Sequence, residues 1–176
     1  PYFYRKICIL GTESTGKTTL TKNLANFFNA DYVSEVGREI VENTNSCQQE
    51  DLLKIAETHA SKILLKEKAL NKMLIIDTDI NITKSYSKFL FNQELEVENW
   101  IDDANKCDLY IYLDNDAPFI QDSTRLSESD RNKLDSFHKK QLNKTGIDYT
   151  IINGNWNQRF EKSLKIIFEK LSINHL

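Results

Sequence analysis

Gly11-Thr12-Glu13-Ser14-Thr15-Gly16-Lys17-Thr18 fits the pattern G-x-x-x-x-G-K-[ST], and its flanks decide the fold. Directly before it, residues 6–10 (KICIL) form a short apolar run that suits a strand buried on both faces. Directly after it, Leu20, Leu24, Phe27 and Phe28 recur at helical spacing over 18–28, with Asn29 where a helix can stop. Strand, glycine loop and helix in this order make a phosphate cradle. Gly11 and Gly16 let the backbone curl into a nest of N–H donors, and the helix N-terminus adds partial positive charge. Lys17 would reach the β- and γ-phosphates of ATP, and Thr18 would offer its hydroxyl to Mg²⁺. Glu13, Ser14, Thr15 and Thr19 complete the expected nucleotide contacts.

The alternation of strand and helix continues outward from this unit. Residues 31–34, 73–76 (MLII), 109–113 (LYIYL) and 149–152 (YTII) read as four further strands. Helical periodicity covers 49–71, where Leu52, Leu53, Ile55, Ala56, Ala60, Ile63, Leu64 and Leu70 recur, and segments near 82–91, 95–105, 128–143 and 157–171. The expectation is a three-layer α/β fold around a five-stranded parallel sheet, as a single domain over 1–176.

Composition narrows the function classes. The chain has 176 residues, 40% hydrophobic and 28% charged, with 5 Gly and 2 Pro, as in ordinary globular proteins. Its net charge of −3 and lack of a long basic run make duplex nucleic acid a poor partner. No apolar stretch approaches the roughly 18 to 20 residues that span a bilayer, so a soluble, cytoplasmic protein with no membrane partner is expected. Cys8, Cys47 and Cys107 show neither disulfide nor zinc spacing and read as reduced, mostly buried thiols. Oligomeric state is not legible.

Two acidic residues follow MLII. Asp77 at the strand end is placed to hold the metal through its water shell. Asp79 is either a functional carboxylate or the cap of the helix that follows. Glu35 and Arg38, in Glu35-Val36-Gly37-Arg38-Glu39, would face the ligand crevice beyond the carboxyl ends of the strands. There Glu35 would bind a ribose hydroxyl or take the proton of an attacking hydroxyl, and Arg38 would bind substrate or an adjacent phosphate. The polar segment 118–131 (PFIQDSTRLSESDR) suits a lid that excludes water, with Arg125 and Arg131 as cations for the transferring phosphoryl group or for stacking on adenine. Ser127-x-x-Asp130 reads as a capping box at its end.

Asn105-Lys106-Cys107-Asp108 matches the base-reading pattern of GTPases, but it precedes LYIYL, at the edge away from the crevice. Asp77 is followed by Thr78, so the water-activating glutamate of a motor ATPase is missing. A kinase acting on a small acceptor fits best. A kinase for another nucleoside or nucleotide-like acceptor and an ATP-binding regulatory switch stand as alternatives.

At G-T-E-S-T-G-K-T (11–18), E-V-G-R-E (35–39), D-T-D (77–79) and Q-D-S-T-R (121–125), the sequence resembles the ribosylnicotinamide kinase domain of NadR-like proteins, over nearly the whole chain. The resemblance implies a P-loop kinase core of strand order 2-3-1-4-5 with a lid after the fourth strand. It also implies transfer of the ATP γ-phosphate to the 5′-hydroxyl of nicotinamide riboside, forming nicotinamide mononucleotide. Bifunctional members carry an adenylyltransferase domain upstream, which does not fit before Lys6; if the sequence is the whole protein, a stand-alone kinase is expected. Val36 and Ser123 depart from the commoner Tyr and Gly of the family. A pyridinium riboside calls for a carboxylate or aromatic faces, for which Glu35, Asp79, Tyr86 and Trp100 are the candidates. Tyr32 and Phe89 are weaker ones. Asn153-Gly154-Asn155 resembles the loop that borders adenine, which puts Gly154 at the nucleotide.

Overall fold

Five short apolar segments become five strands: β1 (Arg5–Leu10), β2 (Asp31–Val33), β3 (Met73–Asp77), β4 (Leu109–Leu113) and β5 (Thr150–Ile152). The computed structural model describes residues 5–41, 46–68, 72–116 and 126–172. The strands pair in parallel in the order β2-β3-β1-β4-β5, as the resemblance implied. Seven helices are described: α1 (Lys17–Phe28), α2 (Gly37–Ile40), α3 (Gln49–Glu67), α4 (Ile80–Phe91), α5 (Asn99–Ala104), α6 (Glu128–Lys144) and α7 (Trp156–Lys170).

Both faces of the sheet are covered, which is why the strands read as unbroken apolar runs. Ile7, Ile9, Ile75 and Ile111 pack against Leu20 and Leu24 of α1 and Ile167 of α7. The alternate residues Cys8, Leu10 and Tyr112 pack against Ile82 of α4 and Leu142 of α6, while Leu74 and Ile76 meet Ile63 of α3. Each fully buried isoleucine contributes roughly 1.5–3 kcal/mol over leaving it in water.

Register sets the site. Ile9 pairs with both Asp77 and Ile111, so β1 and β3 end side by side and the loop after β1 opens next to Asp77. The Thr78 N–H donates to the Ile9 carbonyl (2.9 Å), pinning the two exits together.

Three elements differ from the sequence reading. The helix expected over 95–105 is only α5, because Leu95 is buried against Cys47 and Leu52 in an irregular stretch that begins at the left-handed Asn92 cap of α4. The helix expected over 49–71 ends at Glu67, and residues 69–71 lie outside the described ones. The four-residue α2 was not anticipated. The GTPase-like motif is structural: Asp108 Oδ2 accepts from the Lys6 N–H (2.8 Å), and Asn105 Oδ1 from the Ile80 N–H (3.0 Å). Among the described residues, no helix is long and apolar enough to cross a membrane.

Two buried histidines make the fold acid-sensitive. His138 is wholly buried between α4 and α6, hydrogen-bonded through Nδ1 to Ser85, and burial lowers its pKa to about 3. His59 on α3 is lowered to about 4, again by burial. Both imidazoles take up a proton below about 6.5 in the unfolded chain but not in the folded one, so stability falls as pH drops from 6.5 towards those values. Asp79, raised by burial to about 6, works the other way between 6 and 3.8 and offsets part of the loss. Thermal unfolding is expected to show Tm decreasing from pH 7 to pH 4.5, with a shallower decrease in the Ser85→Ala/His138→Leu double variant. A Tm independent of pH over this range contradicts the assignment.

Candidate active site

The loop between β1 and α1 has the strained backbone that phosphate binding needs. Gly11 (φ 146°), Ser14 (φ 61°) and Gly16 (φ 84°) all lie at positive φ. A Cβ on Gly11 would sit 2.9 Å from the Leu113 carbonyl oxygen, and one on Gly16 2.5 Å from the Trp156 ring, so neither position accepts a side chain. No side chain caps α1, which leaves its first N–H groups directed at the loop's concavity. Thr15 is fully buried and its hydroxyl donates to the Thr12 carbonyl (2.8 Å), closing the loop on itself.

The residues with the chemistry converge here. Lys17 Nζ donates to the same Thr12 carbonyl (2.8 Å), folded against the loop it would leave to meet a phosphate. Thr18 Oγ1 donates to Asp77 Oδ2 (2.9 Å), so the hydroxyl and carboxylate expected at the metal are in direct contact. Burial raises the Asp77 carboxyl above its usual range, opposed by Lys17. Thr78, a β-branched residue at φ 73°, makes the turn that sends Asp77 towards Thr18 and Asp79 towards α4.

A cavity of about 570 Å³ runs from this loop to the end of β2. Gly11, Glu13, Ser14, Thr15, Gly16, Lys17, Thr18 and Thr19 line one end. Glu35, Arg38, His59 and Tyr86 line the cavity as well, among apolar walls from Val36, Val41, Leu52, Ile55 and Leu90. Tyr86 donates its hydroxyl to Glu13 Oε1 (3.1 Å), and the Leu126 N–H reaches Glu13 Oε2 (3.1 Å). Glu13 therefore ties the loop to α4 and to the approach to α6. Burial, with Glu13 and Glu35 nearby, pushes the Tyr86 phenol well up and keeps it a donor.

Several candidates lie elsewhere. Asp79 does not line the cavity: Oδ1 caps α4 by accepting from the Asn81 and Ile82 N–H groups, and Oδ2 accepts from the Asn81 amide. Both oxygens are engaged, so the helix-cap alternative holds and a role in catalysis or substrate binding is not supported. Asp79→Asn is expected to keep kcat within a few-fold, and Asp79→Ala to cost about 1–2 kcal/mol in denaturant unfolding through loss of the cap. A hundred-fold fall in kcat for the folded Asn variant would restore Asp79 as a reacting group.

Trp100 stands partly exposed on α5, away from the cavity, because the helix turns Ile101 and Ala104 into the core instead. Arg131 is buried on α6, where desolvation lowers its pKa against the pull of Glu128, Asp135 and Glu13; it does not line the cavity. Gly154 donates its N–H to Asp116 (2.8 Å) and is likewise not on the cavity wall. Arg125 and most of the expected lid fall outside the described residues. Ser127 caps α6, its hydroxyl accepting from the Asp130 N–H (3.2 Å).

Three residues at the site escaped the sequence reading. Trp156 lays its ring against Gly16 and lines the cavity. Arg159 is 1% exposed and donates to the carbonyls of Thr15 (3.1 Å), Gly154 (2.8 Å) and Asp114 (3.1 Å) while pairing with Asp116. Its signal was a cation in register with Ser163 and Ile167 on the buried stripe of α7. His59 similarly interrupts the apolar stripe of α3.

A family model described as AAA domain matches residues 6–159. The chain belongs to this AAA domain family. The chain is also 31% identical over 179 residues to the trifunctional NAD biosynthesis/regulator protein NadR of Escherichia coli (strain K12), an alignment covering 97% of this chain and 44% of that protein. It therefore spans less than half the length of the curated relatives it matches. The solved structure of NadR protein in complex with NR superposes with a TM-score of 0.78 at 18% identity, covering 99% of this chain and 53% of that one. Thymidylate kinase from Candida albicans superposes with a TM-score of 0.65 at 16% identity, covering 98% and 96%. This AAA-family chain thus has a NadR-like P-loop kinase fold.

Proposed function

We propose that this chain transfers the γ-phosphoryl group of ATP to the 5′-hydroxyl of nicotinamide riboside, giving nicotinamide mononucleotide and ADP. The observation that carries the reading is the cavity that joins the P-loop to Glu35, Arg38 and apolar walls, so that phosphate donor and riboside acceptor can meet in one space. The likeness to NadR, whose name places it in NAD biosynthesis and whose solved structure holds NR, supports the choice of acceptor.

The P-loop N–H groups would hold the phosphates, and Lys17 would exchange the Thr12 carbonyl for a phosphate oxygen. The Thr18 hydroxyl and Asp77 carboxylate, already 2.9 Å apart, are an all-oxygen pair that fits Mg²⁺. Mg²⁺ held there would supply positive charge to offset that of the transferring phosphoryl group. With Asp79 engaged as a cap, Glu35 is the carboxylate that orients the acceptor and receives its proton, and its charge complements a pyridinium ring. Arg38 lines the same cavity. Arg125 keeps its proposed role of stabilising the phosphoryl group in transfer. Because the transition state is loose, positioning by these groups matters more than the strength of the base.

The test is ADP release from ATP and Mg²⁺ with nicotinamide riboside, nicotinic acid riboside, common nucleosides, deoxynucleosides and dephospho-coenzyme A offered in parallel. Release with nicotinamide riboside is expected. Release only with another acceptor keeps the kinase and replaces the substrate, and release independent of any acceptor overturns the reading.

A further inference from the structure

His59 lies in the buried stripe of α3 with Ala56, Ala60 and Ile63, and it lines the same cavity as Glu35 and Thr78. Only 6% of the residue is exposed. The imidazole hydrogen-bonds to the main-chain carbonyl of Asp77, and Nε2 has no partner among the described residues. Donation to a carbonyl requires a ring N–H, so Nδ1 carries the proton and Nε2 is an acceptor with nothing to accept from. Burial keeps the ring neutral, against the pull of the Glu35 carboxylate; Lys62 on the same helix reinforces the neutral form. An acceptor left buried without a donor is costly, and such groups on a ligand cavity are met by the ligand. Glu35 is a second acceptor close enough to act electrostatically on the ring. Two neighbouring acceptors complement a ligand that brings two neighbouring donors, as a vicinal diol does.

We propose that His59 is a specificity-determining residue of the acceptor site: when the acceptor binds, Nε2 accepts a hydrogen bond from one ring hydroxyl of its ribose while Glu35 accepts from the adjacent one. The inference deepens the kinase reading and rests on it. A site built to bond a hydroxyl rejects the analogue lacking it far more strongly than an apolar site can, because its own polar group is then left unpaired.

The experiment compares kcat/KM for nicotinamide riboside and its 2′-deoxy and 3′-deoxy analogues in the wild type, His59→Leu and His59→Gln. The wild type is expected to prefer the riboside over one deoxy analogue by about 10²-fold or more. His59→Leu should reduce that preference to within about ten-fold, mainly by slowing the riboside, and His59→Gln, whose amide oxygen is again an acceptor, should restore part of it. A purely structural role for His59 would lower all acceptors alike and leave the ratio intact, which overturns the inference. Equal use of riboside and both deoxy analogues by the wild type overturns it without any variant. Absence of wild-type transfer to any riboside is a different result, and removes the kinase reading itself together with this inference.

Discussion

Lys17→Ala is expected to lower kcat for phosphoryl transfer by about 10²–10⁴-fold, with the fold intact. The ammonium lies at the phosphate loop, and its one described hydrogen bond, to the Thr12 carbonyl, is internal to that loop. Phosphoryl transfer leaves little covalent work to the protein, so removing a positioned cation removes catalysis rather than only affinity. Lys17→Arg should not rescue, because a planar guanidinium does not fit the place of a compact ammonium enclosed by the loop. Steady-state kinetics at saturating ATP, with unfolding curves for both variants, measures this; kcat within ten-fold of wild type would remove the P-loop from the mechanism.

Arg159→Leu is expected to be the most damaging substitution for stability, by about 3–5 kcal/mol. The guanidinium joins three separate segments: the P-loop at Thr15, the end of β4 at Asp114 and Asp116, and the turn after β5 at Gly154. Leucine fills part of the volume but leaves the Thr15 and Asp114 carbonyls without this donor and Asp116 without its cation. Asp116 is partly exposed and regains water, which limits the loss on that side. Because Thr15 belongs to the phosphate cradle, KM for ATP should rise as well. Arg159→Lys has one point charge for three directions and should recover less than half of the lost stability in urea unfolding. A loss below 1 kcal/mol for the Leu variant contradicts this account of α7.

The strands and the phosphate loop were legible because their signals are local. KICIL, MLII and LYIYL are buried on both faces and need no partner to be recognised, and the P-loop carries its glycines in sequence order. Asp77 was legible as the last residue of a strand. Asp79 was not, since an N-cap and a reacting carboxylate have the same spacing from a strand end, and only the bonds to Asn81 and Ile82 separate them. The two tryptophans show the same limit. Trp100 and Trp156 both lie in the first turn of a helix, and which one meets the cavity depends on the direction in which α5 and α7 leave the sheet. Leu95 and Val97 mimicked helical periodicity while in fact anchoring a loop on Cys47 and Ala56. His59 and Arg159 were visible only as polar interruptions of apolar stripes, a signal that says a group is buried but not what it faces.

The most direct measurement is the product balance with nicotinamide riboside as the only acceptor: nicotinamide mononucleotide and ADP quantified together by mass over the time course. Formation of the two in a one-to-one ratio, dependent on Mg²⁺, is the predicted result. ADP formed with inorganic phosphate and no nicotinamide mononucleotide would contradict it.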